Sequence, residues 1–112
     1  MLEDVATNLE GTFGLVVRFT VKRGREQDFD DLTAATVQAV QATEPRTLLY
    51  LCHRVDGAPQ ERIFYELYED RSAFDAHETQ AHVRHFLSKR DALLDDVAVD
   101  FLSPTIHARA NR

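Results

Sequence analysis

Residues 47–69 read TLLYLCHRVDGAPQERIFYELYE, and the place of this segment in the chain decides the fold. Thr47 to Val55 is rich in Leu, Tyr and Val, and Ile63 to Glu69 is rich in aromatic residues. Both compositions suit a pleated, half-buried surface. Asp56-Gly57-Ala58-Pro59-Gln60 between them concentrates turn-forming residues, so the two runs are expected to pair as an antiparallel hairpin. Upstream, Phe13 to Val21 alternates, with Phe13, Leu15, Val17, Phe19 and Val21 on one face and Gly14, Val16, Arg18 and Thr20 on the other, as in a strand. After the turn Lys22-Arg23-Gly24 the period becomes helical. Phe29, Leu32, Thr36, Ala39 and Val40 share one stripe of Arg25–Thr43, and Glu26, Asp28, Asp30 and Asp31 complement the positive helix end. Pro45 stops this helix.

Downstream of the hairpin, Asp70 is placed to N-cap a helical segment carrying Ala73, Phe74 and His77. Thr79 is expected to cap a second, longer helix bearing Val83, Phe86, Leu87 and Leu94. Val97 to Leu102 is a last strand, stopped by Ser103-Pro104. Strand-helix-strand-strand-helix-strand is the α+β, ferredoxin-like split βαβ order: a four-stranded antiparallel sheet with helices on one face. The expected division is a flexible N-terminal arm over 1–11, one domain over 12–104 and a polar tail over 105–112. The sheet face away from the helices would keep apolar residues whichever set of β positions turns outward, and such surfaces mark partners. Pairing of two copies, sheet to sheet, would bury it as a homodimer.

The composition sets bounds on function. The chain has 112 residues, 44% apolar and 29% charged, as in an ordinary folded domain. Nineteen acidic against 13 basic residues give a net charge of −6, and no dense Lys/Arg cluster points to nucleic acid or an anionic membrane as partner. Cys52 is the sole cysteine, which rules out an intrachain disulfide, and its apolar run is read as burying an inert thiol. MLEDVATNLEG lacks the layout of a signal peptide, no stretch approaches the ~20 apolar residues of a membrane span, and a cytoplasmic location is expected.

The chemistry is concentrated in residues 65–86, YELYEDRSAFDAHETQAHVRHF. A strand carrying Glu66-Leu67-Tyr68, a short helix with Ala76-His77, and His82 five residues on resemble the antibiotic biosynthesis monooxygenase family, which includes quinol monooxygenases. The similarity runs over about residues 13–104. It implies a ferredoxin-like dimeric α/β barrel and a cofactor-independent monooxygenase that oxidises a small aromatic quinol, phenol or anthrone with dioxygen. An isomerase or tautomerase acting on a small hydroxyketone, or a non-catalytic small-molecule-binding dimer, are the alternatives.

The residue types suit that chemistry. His77 is the first proton-transfer candidate and His82 the second, since imidazole titrates near neutral pH. Glu66, inside an aromatic strand, must be paired, hydrated or in a cavity. Tyr68 stands where many family members carry tryptophan, so its hydroxyl is available to hold an oxygen while no indole is. His77 is read as partly exposed, so that His77→Ala should leave folding nearly intact. Tyr50 and Tyr65 are read as sheet packing, His85 as a surface residue, and His53 and His107 as structural. Neither a metal nor another cofactor is expected. His82 and His85 have a usable helical spacing but no third ligand, Leu87 stands at the position where haem-degrading relatives have their ligand histidine, and the dispersed glycines at 11, 14, 24 and 57 form no nucleotide loop.

Overall fold

A computed structural model of the chain describes residues 9–106. Most of the proposed N-terminal arm (1–8), most of the tail (107–112) and His107 lie outside them. Four strands, β1 (Phe13–Val21), β2 (Thr47–Val55), β3 (Ala58–Tyr68) and β4 (Leu94–Leu102), form one antiparallel sheet in the order β2-β3-β1-β4. Helices α1 (Glu26–Thr43), α2 (Arg71–Glu78) and α3 (Ala81–Arg90) connect them, with a 3₁₀ turn at Asp91–Leu93 leading into β4. This is the ferredoxin-like α+β fold that the order of elements predicts. Among the described residues no helix is long and apolar enough to cross a membrane.

The alternation in β1 decides which face is covered. Leu15, Val17, Phe19 and Val21 are buried beneath the helices, and Phe13 packs at the margin of that core. Phe19 lies at the centre, with its ring 5.1 Å from Phe29, 4.7 Å from Phe64 and 6.2 Å from Phe86, so one aromatic cluster joins β1, β3, α1 and α3. Register carries the inward set across the sheet. Leu15 faces Glu66 and Phe101, and Val17 faces Phe64 and Val99. The opposite face presents Val16, Tyr65, Leu67, Leu51, Leu49 and Leu102, of which Leu49, Leu51 and Leu102 are exposed.

Several boundaries differ from the sequence reading. β3 begins at Ala58 rather than Ile63, because Asp56-Gly57 alone turns the chain, Gly57 taking φ +77° that favours glycine. Asp70 caps α2 as expected, accepting from the Ala73 amide at 2.8 Å. Thr79 does not start the next helix. It closes α2, its hydroxyl donating to the Ala76 carbonyl at 2.7 Å, and Gln80 is the N-cap of α3. Leu94 belongs to β4, not to a helix, since the 3₁₀ turn ends helical structure at Leu93. Thr33 joins the buried stripe of α1, while Leu32 and Ala39 lie half-buried beside it. Asp30 serves more than the helix dipole, forming a two-point pair with the buried Arg62 at 2.8 and 3.0 Å that clamps α1 to β3. Cys52 is exposed, not buried, because β2 is an edge strand that α1 leaves partly uncovered.

Candidate active site

β3 and α2 bring the predicted residues together. Glu66 and Tyr68 are two apart on β3 and point to the same, helix-covered side. Arg46 fixes α2 over them: its guanidinium donates to Asp70 at 2.7 Å and to Ser72 at 3.0 Å, tying the start of β2 to the first turn of α2. His77, on the inward side of α2, is thereby held with its ring 5.1 Å from Tyr68 and 5.6 Å from Tyr50. It is 3% exposed, not partly exposed as read from sequence.

Two hydrogen-bonded groups, Tyr68 with Glu66 and His77 with Glu44, meet here across a 4.0 Å gap. The Tyr68 hydroxyl donates to Glu66 Oε1 at 2.5 Å, and His77 Nε2 stands 4.0 Å from that same oxygen. His77 Nδ1 is bonded at 2.7 Å to Oε1 of Glu44, a buried carboxylate at the end of α1. The Thr47 hydroxyl donates to Oε1 as well, at 2.7 Å, and His82 Nε2 bonds Oε2. His82, with 18% of its side chain exposed, stands on the solvent side of the second group. His85 is exposed, and among the described residues no three His, Cys, Asp or Glu side chains converge as a metal set.

Glu66 and His77 border a cavity of about 130 Å³ between the inner sheet face and helices α2 and α3. Its walls are largely apolar and aromatic, among them Phe19, Tyr50, Phe64, Phe74 and Phe86, and Phe101, 60% exposed, stands at its rim. The size matches a single aromatic ring, since a dry cavity near 150 Å³ binds benzene. Tyr50 is therefore part of the cavity wall as well as of the sheet packing. Tyr68 does not line the cavity. Its hydroxyl is committed to Glu66 from behind, which departs from the expectation that it is free to hold an oxygen.

The two carboxylates sit in opposite electrostatic situations. Burial pushes Glu66 up to about 7, against the Tyr68 hydrogen bond that favours its ionised form, with the charges of Glu78 and Glu44 adding to the rise. Burial also opposes ionisation of Glu44, but hydrogen bonds from His77, Thr47 and His82 prevail and hold it below its ordinary value. Burial, with the Glu66 charge beside it, drives the Tyr68 phenol far upward, so it remains a hydrogen-bond donor. A carboxyl raised to about 7 exchanges its proton near neutral pH, the range that suits a general base.

A stability prediction follows from Glu66. Its folded-state value of about 7 lies above the unfolded 4.5, so between these the folded state holds a proton the unfolded chain has lost. Glu66 therefore costs stability progressively as pH rises from 4.5 to 7, reaching about 3 kcal/mol above that window. Glu66→Gln should be more stable than the parent at pH 8, and the advantage should vanish by pH 4. Denaturant titrations at the two pH values check this; an equal difference at both would show that Glu66 ionises freely.

Glu44 is the residue that sequence reading missed. A usable signal was present, since an acidic side chain at a helix C-terminus opposes the helix dipole and needs another reason to be there.

Comparison with known proteins places this geometry in a family. The antibiotic biosynthesis monooxygenase profile matches residues 12–89. A Pseudomonas aeruginosa protein superposes with a TM-score of 0.79 at 21% identity, over 88% of this chain and 98% of its own. For a Mycobacterium tuberculosis protein the TM-score is 0.80 at 22% identity, over 87% and 98%. A Bacteroides thetaiotaomicron protein provisionally named an antibiotic biosynthesis monooxygenase gives 0.82 at 15% identity, over 96% and 99%. These likenesses establish a shared fold. No curated protein matches the chain significantly in sequence. With the profile spanning more than half of its length, the chain belongs to the antibiotic biosynthesis monooxygenase family.

Proposed function

We propose that the protein is a cofactor-independent monooxygenase acting on a small phenol or quinol, with Glu66 as the base. The observation that carries this reading is a carboxyl poised near pH 7 on the wall of a ring-sized aromatic cavity. Glu66 takes a phenolic proton, and the resulting anion passes an electron to dioxygen. The oxygen then bonds to the adjoining ring carbon as a peroxide. The peroxide accepts the proton back from Glu66, its O–O bond breaks, and water leaves with the hydrogen of that carbon. For a hydroquinone the sum is quinol plus dioxygen giving hydroxyquinone plus water, with the substrate as sole reductant. Apolar walls favour this course because they keep water from the anion and the peroxide. In this reading His77, its Nε2 4.0 Å from Glu66 and its Nδ1 bonded to Glu44, exchanges a proton with Glu66 through one bridging water.

The test is dioxygen uptake by metal-stripped protein supplied with a panel of hydroquinones and phenols. Uptake with one oxygen atom recovered in the product supports the reading. Turnover of a hydroxyketone without uptake would replace it by isomerisation.

Assembly is a second expectation. We infer that the exposed Leu49, Leu51 and Leu102 and their neighbours on the open sheet face are covered by the same face of a second copy. A dimer burying more than ~1,000 Å² in total should be seen by light scattering at micromolar concentration. Leu51→Lys, placing a charge on this face, should shift it toward monomer, whereas a monomeric parent would exclude the arrangement.

A further inference from the structure

The pairing of the strands lays the cavity floor out along a line. Tyr50 on β2 pairs with Glu66 on β3, Glu66 with Leu15 on β1, and Leu15 with Phe101 on β4. All four line the cavity, so its floor crosses every strand of the sheet. Val17 and Val99, paired in the next row, line it beside Leu15 and Phe101. The two ends of the line differ. Glu66 gives the β3 end its carboxyl, whereas the β4 end is apolar. From Glu66 to β4 is two strand spacings, about 10 Å. A single ring that bonds Glu66 through a hydroxyl therefore lies over β1 and stops short of β4.

Val99 and Phe101 are 43% and 60% exposed, although they pair with buried residues and face the helix side of the sheet. A second copy covering the opposite sheet face would leave them open. Phe101 is nevertheless held in place, its ring 5.7 Å from Phe13 and 6.0 Å from Phe74. Exposed apolar side chains continuous with a ligand-sized cavity mark a surface that a ligand covers.

We propose that Val99 and Phe101 form a shelf for an apolar chain on the substrate, carried meta or para to the hydroxyl that meets Glu66. This rests on the reading that the cavity holds the reacting ring, and it narrows the substrate class. The preferred substrate is a phenol or quinol bearing a short alkyl or similar chain, rather than a bare ring. The chain leaves over β4 while the hydroxyl stays at β3, so burying one end orients the other. A meta or para chain also leaves a ring carbon beside the hydroxyl free to take up oxygen.

Calorimetry without dioxygen, using phenol, 4-butylphenol and 2-butylphenol, tests this apart from any oxygen chemistry. The parent should bind 4-butylphenol roughly 10-fold or more tightly than phenol, because each fully buried methylene adds about fourfold and the shelf covers the chain in part. 2-Butylphenol has the same apolar area but puts the chain beside Glu66 and the packed Tyr50. It should bind roughly fivefold or more weakly than the 4-isomer. Phe101→Ser should cut the gain from phenol to 4-butylphenol to about threefold or less. The readout is this ratio, so any change in affinity for the ring itself divides out. Should Phe101→Ser fail to fold, Val99→Thr serves: it keeps the shape of the shelf, makes it polar and should lower the same ratio. Equal binding of the two butylphenols by the parent would overturn the proposal, as would a gain that persists in the folded variants. Conversion of a dimeric parent to monomer by Phe101→Ser, seen by light scattering, would also overturn it and assign the shelf to a second copy. Oxygen uptake without the gain strikes only the shelf, whereas a shelf-dependent gain without uptake strikes only the oxygenase reading.

Discussion

Glu66→Gln is expected to lower turnover of a phenol or quinol by at least ~10²-fold while the protein stays folded, the scale for losing a positioned base. Glutamine has nearly the same shape and can still accept from the Tyr68 hydroxyl that meets Oε1 at 2.5 Å, so the cavity should keep its walls. What it cannot do is take a proton. In the parent, turnover should rise with pH along a limb centred near 7, where Glu66 becomes ionised, and the variant should lack that limb. Tyr68→Phe separates position from charge. It removes a hydrogen bond that favours the carboxylate, so the limb should move to higher pH rather than disappear. Full activity in Glu66→Gln would transfer the base to His77, which borders the same cavity.

How much of this was legible in the sequence depends on whether an interaction is local. The alternation of Phe13–Val21 and the Asp70 cap are governed by neighbours within a few residues, and both are found as read. β3 starts five residues before the sequence pattern indicates, because Pro59 at its beginning reads as turn chemistry although a two-residue turn at Asp56-Gly57 suffices. The pairing of Glu66 with Tyr68 was partly legible, since residues two apart on a strand share a face. Glu44 was not, because its contacts to His77 and His82 span 33 and 38 residues and arise only once α1 ends beside α2. The same closure buries His77. A helical stripe places it near the inward face, but no periodicity shows that a carboxylate from another helix fills the space beyond.

The burial of His77 reverses the expectation that its removal is harmless to the fold. His77→Ala should destabilise the protein by about 3 kcal/mol at neutral pH, because it strips a hydrogen bond from Glu44, whose side chain is only 6% exposed. Thr47 and His82 still bond that carboxylate, which keeps the loss at the lower end for a broken buried pair. The loss should shrink on acidification. His77 helps hold Glu44 below its ordinary value, so that contribution is present above the carboxylate range and disappears as pH falls and Glu44 takes up a proton. Glu44→Gln in the His77→Ala background should recover part of the loss by removing the stranded charge, a coupling that a double-mutant cycle measures. His77→Asn then tests the chemical role, since an amide N–H can take the place of Nδ1 toward Glu44 without an imidazole toward Glu66. Near-parental melting with turnover reduced ~10-fold or more would assign His77 to proton exchange with Glu66. Near-parental melting with unchanged turnover would make it a brace for α2 and leave Glu66 to act alone. A His77→Ala protein as stable as the parent at pH 7 would contradict the buried Glu44–His77 pair itself.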